Sequence, residues 1–214
     1  MAEEQRSKSN LVKTSASEMK DEFMIIERVF SDDEDNMSIG LANIRAIVPN
    51  IEANKDKMAR AVEIFKSKGV NVAIFPEFAL SGYFWEDTKA CRRYMDNAVI
   101  ENHTEWIDKT LKPMLGDELE AIVFNNIRKG ADGKYFNTTF ILAAIEGFDY
   151  LKKENSYNKI FLPPLEKIYT ETGADDRLVV DSKWGRFGFT TCYDFLFSQL
   201  LLEYAKIEKV DAII

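Results

Sequence analysis

Between Met37 and Pro76 the chain passes through a short β-prone segment, an amphipathic helix and a buried strand, and this order restricts its fold more than any other feature. Residues 37–44 are short and apolar. In 51–68, Ile51, Met58, Ala61, Val62 and Phe65 recur near helical spacing, and Gly69 marks a stop. Residues 70–75 form an uninterrupted apolar run ended by Pro76. A connection of this length between two strands implies parallel pairing and a right-handed crossover. Such sheets place their chemistry at the carboxyl ends of the strands. Downstream, 86–97 and 102–115 read as helices. Residues 119–127 and 135–144 read as a hairpin across the turn 129–134, and 156–162 as a short strand. Residues 178–181 and 186–191 form a second hairpin, and 210–214 a further strand.

Size and charge narrow the function classes. With 214 residues, 46% of them hydrophobic, the chain can bury one large core. No apolar run is long enough to span a bilayer, so no membrane association is expected. Met1-Ala2-Glu3-Glu4-Gln5-Arg6 has no apolar segment behind it and does not read as a secretory signal. The expected location is therefore cytoplasmic, with the two cysteines, Cys91 and Cys192, reduced. The net charge is −8 and the pI about 4.9. Residues 1–36 carry ten acidic against five basic side chains, and the remainder offers no basic face for nucleic acid. A lone histidine, His103, makes a histidine metal site improbable.

The chain divides by composition. Residues 1–36 read as a polar, acidic and partly disordered N-terminal extension, with 1–22 lacking sustained periodicity and 23–30 able to form a short strand. Residues 37–214 read as the main domain. Val210-Asp211-Ala212-Ile213-Ile214 is a buried-strand pattern cut at its last apolar residue, so this domain is expected to be incomplete at its C-terminus.

Three stretches carry chemistry. In Phe187-Gly188-Phe189-Thr190-Thr191-Cys192-Tyr193-Asp194, a cysteine ends a strand just before an apolar helical run. A helix N-terminus there would favour a thiolate, although a lone cysteine is more often a small core residue. In Phe75-Pro76-Glu77-Phe78, a carboxylate follows a strand at the same sheet edge; alone it would read as a solvated turn glutamate. In Asn158-Lys159-Ile160-Phe161-Leu162-Pro163, one lysine stands among apolar residues, where an edge-strand lysine facing water is common.

Together these stretches resemble the nitrilase superfamily of carbon–nitrogen hydrolases. The pattern is Pro76-Glu77…Gly82-Tyr83, Lys159-Ile160-Phe161-Leu162-Pro163 and Cys192-Tyr193-Asp194, in that order. The likeness extends to Asn137-Thr138 and to Glu166-Lys167-Ile168-Tyr169, and covers about 37–214. It departs at Asn158, Phe161 and Phe197-Ser198-Gln199, which bear on substrate class more than on chemistry. The resemblance implies a four-layer α-β-β-α sandwich of mixed sheets and a homodimer or larger assembly. It implies Cys192 as nucleophile, Glu77 as proton acceptor and donor, and Lys159 with the backbone N–H of Tyr193 as oxyanion donors. Glu166 would be the supporting glutamate, and no metal or organic cofactor is implied. The expected reaction is hydrolysis of a small amide or N-carbamoyl compound through a thioester. Nitrile hydrolysis by the same site is the near alternative, and an inactive, truncated or partner-binding form is the alternative of another class.

Overall fold

The structure, a computed structural model, describes residues 12–31, 33, 36–83, 88–174 and 177–214. They fall into two compact units, Met1–Met37 and Ser38–Ile214. In the first, β1 (Thr14–Lys20) pairs antiparallel with β2 (Phe23–Val29), Lys20 opposite Phe23. The sequence reading left 14–20 without regular structure. The strand forms through its ladder to β2 alone, since every one of its side chains is exposed and no apolar pattern marks it. Residues 1–11, also assigned to the extension, lie outside the described residues.

The larger unit begins with the crossover the sequence implies. β3 (Ile39–Leu41) pairs parallel with β4 (Val72–Ile74), joined by α1 (Ile51–Ser67). Asn50 caps α1 by accepting from the Ala53 N–H at 3.0 Å. Its buried stripe is Met58, Ala61, Val62 and Ile64. α1 lies so close to β3 that a Cβ on Gly40 would meet the Phe65 ring at 2.6 Å. Next come α2 (Thr88–Ala98) and a mixed helical run from 100 to 114 around α3 (Thr104–Trp106).

β5 (Ala121–Lys129) adds parallel to β4, β6 (Tyr135–Ala143) returns antiparallel, and β7 (Ser156–Asn158) closes a five-stranded sheet ordered β3-β4-β5-β6-β7. The β5–β6 pair is the core of the sheet, with Phe124 directly opposite Phe140 and their rings stacked at 5.4 Å. β7 is shorter than the sequence suggests: it stops at Asn158, and Lys159 lies just beyond it.

The second sheet is ordered β8-β9-β10. β8 (Val179–Ser182) and β9 (Gly185–Gly188) form the expected hairpin, and β10 (Ala212–Ile213) pairs parallel with β9. Between β9 and β10 runs a short 3-10 turn (Cys192–Leu196), then α4 (Ser198–Glu203), then one π turn (Tyr204–Glu208). Tyr204 sits over Gly188, where a Cβ would meet its ring at 2.5 Å, and its hydroxyl donates to the Phe189 carbonyl at 2.6 Å. The sheets meet through Thr139 with Thr191 at 2.9 Å and through Tyr157 with Asp194 at 2.8 Å. The order is helix, sheet, sheet, helix: the four-layer α/β sandwich of the nitrilase type. No helix among the described residues is long and apolar enough to cross a membrane.

Candidate active site

β4, the end of β7 and the turn after β9 deliver three side chains to one place. Glu77 leaves β4 behind Phe75 and Pro76. The loop after it is pinned by β5: Phe78 N–H donates to Asn125 Oδ1 at 2.9 Å and Ala79 N–H to the Asn125 carbonyl at 3.0 Å. Lys159 is 1% exposed, and its ammonium lies 2.7 Å from Glu77 Oε1 and 2.7 Å from Glu166 Oε2. The solvent-facing edge lysine that a lone charge on a strand suggests is thus absent; the side chain turns inward because two carboxylates receive it. Glu166, 3% exposed, opens the short 3-10 helix Glu166–Ile168.

Asn137 on β6 ties the carboxylates together. Its amide nitrogen lies 2.6 Å from Glu77 Oε1 and 2.6 Å from Glu166 Oε1, and its carbonyl accepts from Asn125 at 2.7 Å. Asn125 also donates to Thr139 Oγ1 at 3.1 Å. Asparagine is disfavoured inside strands. Asn125, Asn126 and Asn137, all at most 3% exposed in apolar β5 and β6, are therefore a signal the sequence carried but that only Asn137 was read for.

Cys192 is exposed and adopts φ +48, a left-handed backbone that a non-glycine residue rarely takes. The turn that holds it there is a capping box. Thr191 and Asp194 bond reciprocally, with Asp194 Oδ2 accepting from the Thr191 N–H at 3.1 Å. Asp194 is fully buried. It also accepts from Tyr157 Oη at 2.8 Å and from the Phe161 N–H at 2.7 Å. One carboxylate thus joins the cysteine's turn to the segment just after Lys159, a role sequence reasoning missed although Asp194 stands in the Cys192-Tyr193-Asp194 motif. Tyr193 follows in the same turn, its ring edge-on to Phe197 at 5.4 Å.

Burial pushes the pKa of the Cys192 thiol up, the nearby Glu77 carboxylate pushes it further, and Lys159 only partly opposes them. The sequence reading expected a lowered thiol pKa from a helix N-terminus and the lysine. Two facts reverse it: the turn is only five residues long, and the ammonium is engaged by two carboxylates whose charges also act on the thiol. Lys159 itself is held up: burial works against its charge, and Glu77 and Glu166 outweigh burial. Burial raises Glu166, with Lys159 and Asn137 opposing. Glu77, Lys159, Glu166 and Asn137 thus form one hydrogen-bonded cluster. Among the described residues no group of three or more His, Cys, Asp or Glu side chains could hold a metal ion.

The family model described as carbon-nitrogen hydrolase matches residues 38–211. The chain belongs to that family. Among solved structures it is similar to the glutamine-dependent NAD+ synthetase from Acinetobacter baumannii in complex with ADP. There it shows 22% identity and a TM-score of 0.66, covering 82% of this chain and 31% of that one. It is also similar to an amidase from Nesterenkonia sp., with 21% identity and a TM-score of 0.61, covering 77% of this chain and 59% of that one. A third match is a glutamate-to-glutamine variant of the Nesterenkonia sp. AN1 amidase, showing the result of Michael addition of acrylamide at its active-site cysteine. That match has 20% identity and a TM-score of 0.61, covering 78% of this chain and 61% of that one. The chain spans less than two thirds of the length of each of these structures. No curated protein matches it.

Proposed function

We propose that this chain hydrolyses a non-peptide C–N bond in a small amide or N-carbamoyl compound, with Cys192 as nucleophile, inside a hydrolase domain spanning 37–214. The observation that carries the reading is the contact set of Glu77, whose Oε1 lies 2.7 Å from the buried Lys159 ammonium and whose charge acts on the Cys192 thiol. Membership of the carbon–nitrogen hydrolase family supports it, as does the likeness to an amidase whose active-site cysteine takes up acrylamide.

In this mechanism the S–H bond breaks as sulfur attacks the carbonyl carbon, and the proton passes to Glu77. Negative charge moves to the carbonyl oxygen, opposite the Lys159 ammonium and the Tyr193 N–H. The proton on Glu77 goes to the leaving nitrogen as the C–N bond breaks, which leaves a thioester. Glu77 then removes a proton from water, the water oxygen attacks the thioester carbon, the C–S bond breaks, and Glu77 returns its proton to the leaving sulfur, restoring the S–H bond and releasing the acid. Glu166 keeps Lys159 oriented throughout.

The test is ammonia release from butyramide, an N-carbamoyl amino acid and a simple nitrile, by the chain and by Cys192→Ala. Release from the amide or the carbamoyl compound, absent in the variant, supports the reading; release from the nitrile alone moves it to nitrile hydrolysis. If no compound is turned over, and the folded chain takes no acrylamide at Cys192, the reading fails in favour of a binding role.

A further inference from the structure

Glu77 has more donors around it than the proposed chemistry uses. A carboxylate offers about four lone-pair positions, two on each oxygen. On Oε1 both are taken, by Lys159 Nζ at 2.7 Å and Asn137 Nδ2 at 2.6 Å. On Oε2 the Tyr83 hydroxyl donates to one. One position on Oε2 remains for the Cys192 thiol, whose pKa the Glu77 carboxylate raises. Tyr83 thereby decides which lone pair is open to the sulfur.

The chain between Glu77 and Tyr83 is built to keep this geometry. Besides the two bonds that Asn125 accepts, the Ser81 N–H donates to Asn126 Oδ1 at 3.2 Å, and the Gly82 N–H donates back to the Phe78 carbonyl at 2.7 Å. Gly82 takes φ +65 and lies so close to Val48 that a Cβ would meet its Cγ2 at 2.4 Å, so the turn before Tyr83 is specified by both conformation and space. The Tyr83 ring stands edge-on to Phe78 with centroids 5.0 Å apart, although half of the residue faces solvent.

We propose that Tyr83 is a positioning residue for the proton-transferring carboxylate. Its hydroxyl donates to Glu77 Oε2 in the resting site and leaves one lone pair aimed at Cys192. It keeps its own proton while the thiol proton moves to Glu77 and on to the leaving nitrogen. Burial and the Glu77 charge both raise the pKa of the phenol, which fits a group that stays neutral. The inference rests on the hydrolase reading but is tested without turnover.

The experiment measures the rate of Cys192 alkylation by iodoacetamide against pH, followed by peptide mass, in the chain, Tyr83→Phe, Glu77→Gln and the double variant. Phe keeps the ring against Phe78 and removes only the hydroxyl. Without that donor the carboxylate presents more negative charge to the sulfur. The alkylation profile of Tyr83→Phe should therefore move upward by about one pH unit, about tenfold slower at a fixed pH on its acid side. On the Glu77→Gln background the same substitution should cause no further shift. An unmoved profile in Tyr83→Phe, or an equal shift on both backgrounds, overturns the inference. If Glu77→Gln itself leaves the profile unchanged, the hydrolase reading fails with it; if Glu77→Gln moves the profile and Tyr83→Phe does not, only this inference fails. Should Tyr83→Phe lose its cooperative melt, Tyr83→Trp, which keeps a ring and a donor elsewhere, is run on the same two backgrounds with the same criteria.

Discussion

Cys91 and Cys192 are the same residue type in opposite settings. Cys91 lies on α2, fully buried in an apolar cluster with Phe78, Met95, Ala98 and Val99. Cys192 lies at a strained turn, exposed, with the charges of Glu77 and Lys159 acting on its thiol. Neither forms a disulfide. In sequence Cys192 reads as the more reactive thiol, although the basic neighbours Arg92 and Arg93 could also lower the pKa of Cys91; both arginines are exposed and leave that sulfur in an apolar interior. Reactivity of a cysteine is thus set by what the fold puts around the sulfur, not by the residues adjacent to it in the chain.

The strongest way to break this contrast is Cys192→Ala. Turnover of an amide should fall by on the order of 10⁴-fold or more, since no thioester can form. The fold should be retained, because the side chain is exposed. A variant that keeps turnover would remove the cysteine from the chemistry altogether. Alkylation of the folded chain should label Cys192 first and Cys91 only on unfolding.

Lys159→Ala comes next and acts on both rate and stability. Removal of one oxyanion donor should lower kcat by about 10²–10³-fold. It also leaves Glu77 and Glu166 facing each other without their shared cation. A broken buried pair costs about 3–5 kcal/mol, read as a lower urea midpoint. A melt equal to that of the parent chain would show that the carboxylates find another partner.

The two effects of Lys159 show where the sequence was legible. The strand–helix–strand order, the β5–β6 and β8–β9 hairpins and the three motif stretches were readable because apolar periodicity and turn residues are local signals. The inward turn of Lys159 was legible only through the family resemblance and not from its own stretch, because it depends on Glu77 and Glu166, one of them 82 residues away. Nor was the clamp of Asp194 on the Phe161 N–H and Tyr157, which spans 33 and 37 residues. The β1–β2 hairpin escaped for another reason: its pairing is backbone to backbone, and β1 shows no buried face to read.

A pH experiment sharpens the contrast from the side of the carboxylates. Burial raises Glu166 in the folded chain above its ordinary value of 4.5. Between that value and its folded pKa the native state binds more protons than the unfolded state, so this group makes stability fall as pH rises through the window. Glu166→Gln removes the contribution. The midpoint difference between the parent chain and Glu166→Gln should therefore shift against the parent chain as pH increases from about 4.5 upward. The opposite slope would mean that Lys159 and Asn137 dominate over burial at this carboxylate.

Cys91→Ala should have the smallest effect and closes the comparison. The substitution removes one sulfur from a well-packed cluster, so it should cost about 1 kcal/mol and lower the melting temperature by about 2–4 °C. Turnover should stay within about twofold of the parent chain, because Phe78, which joins the cluster to the loop after Glu77, has its backbone held independently by Asn125. Melting and ammonia release are measured on the same preparation. A normal melt with a large loss of turnover would show that packing around Cys91 sets the position of Glu77, and would make the α2 core part of the catalytic support.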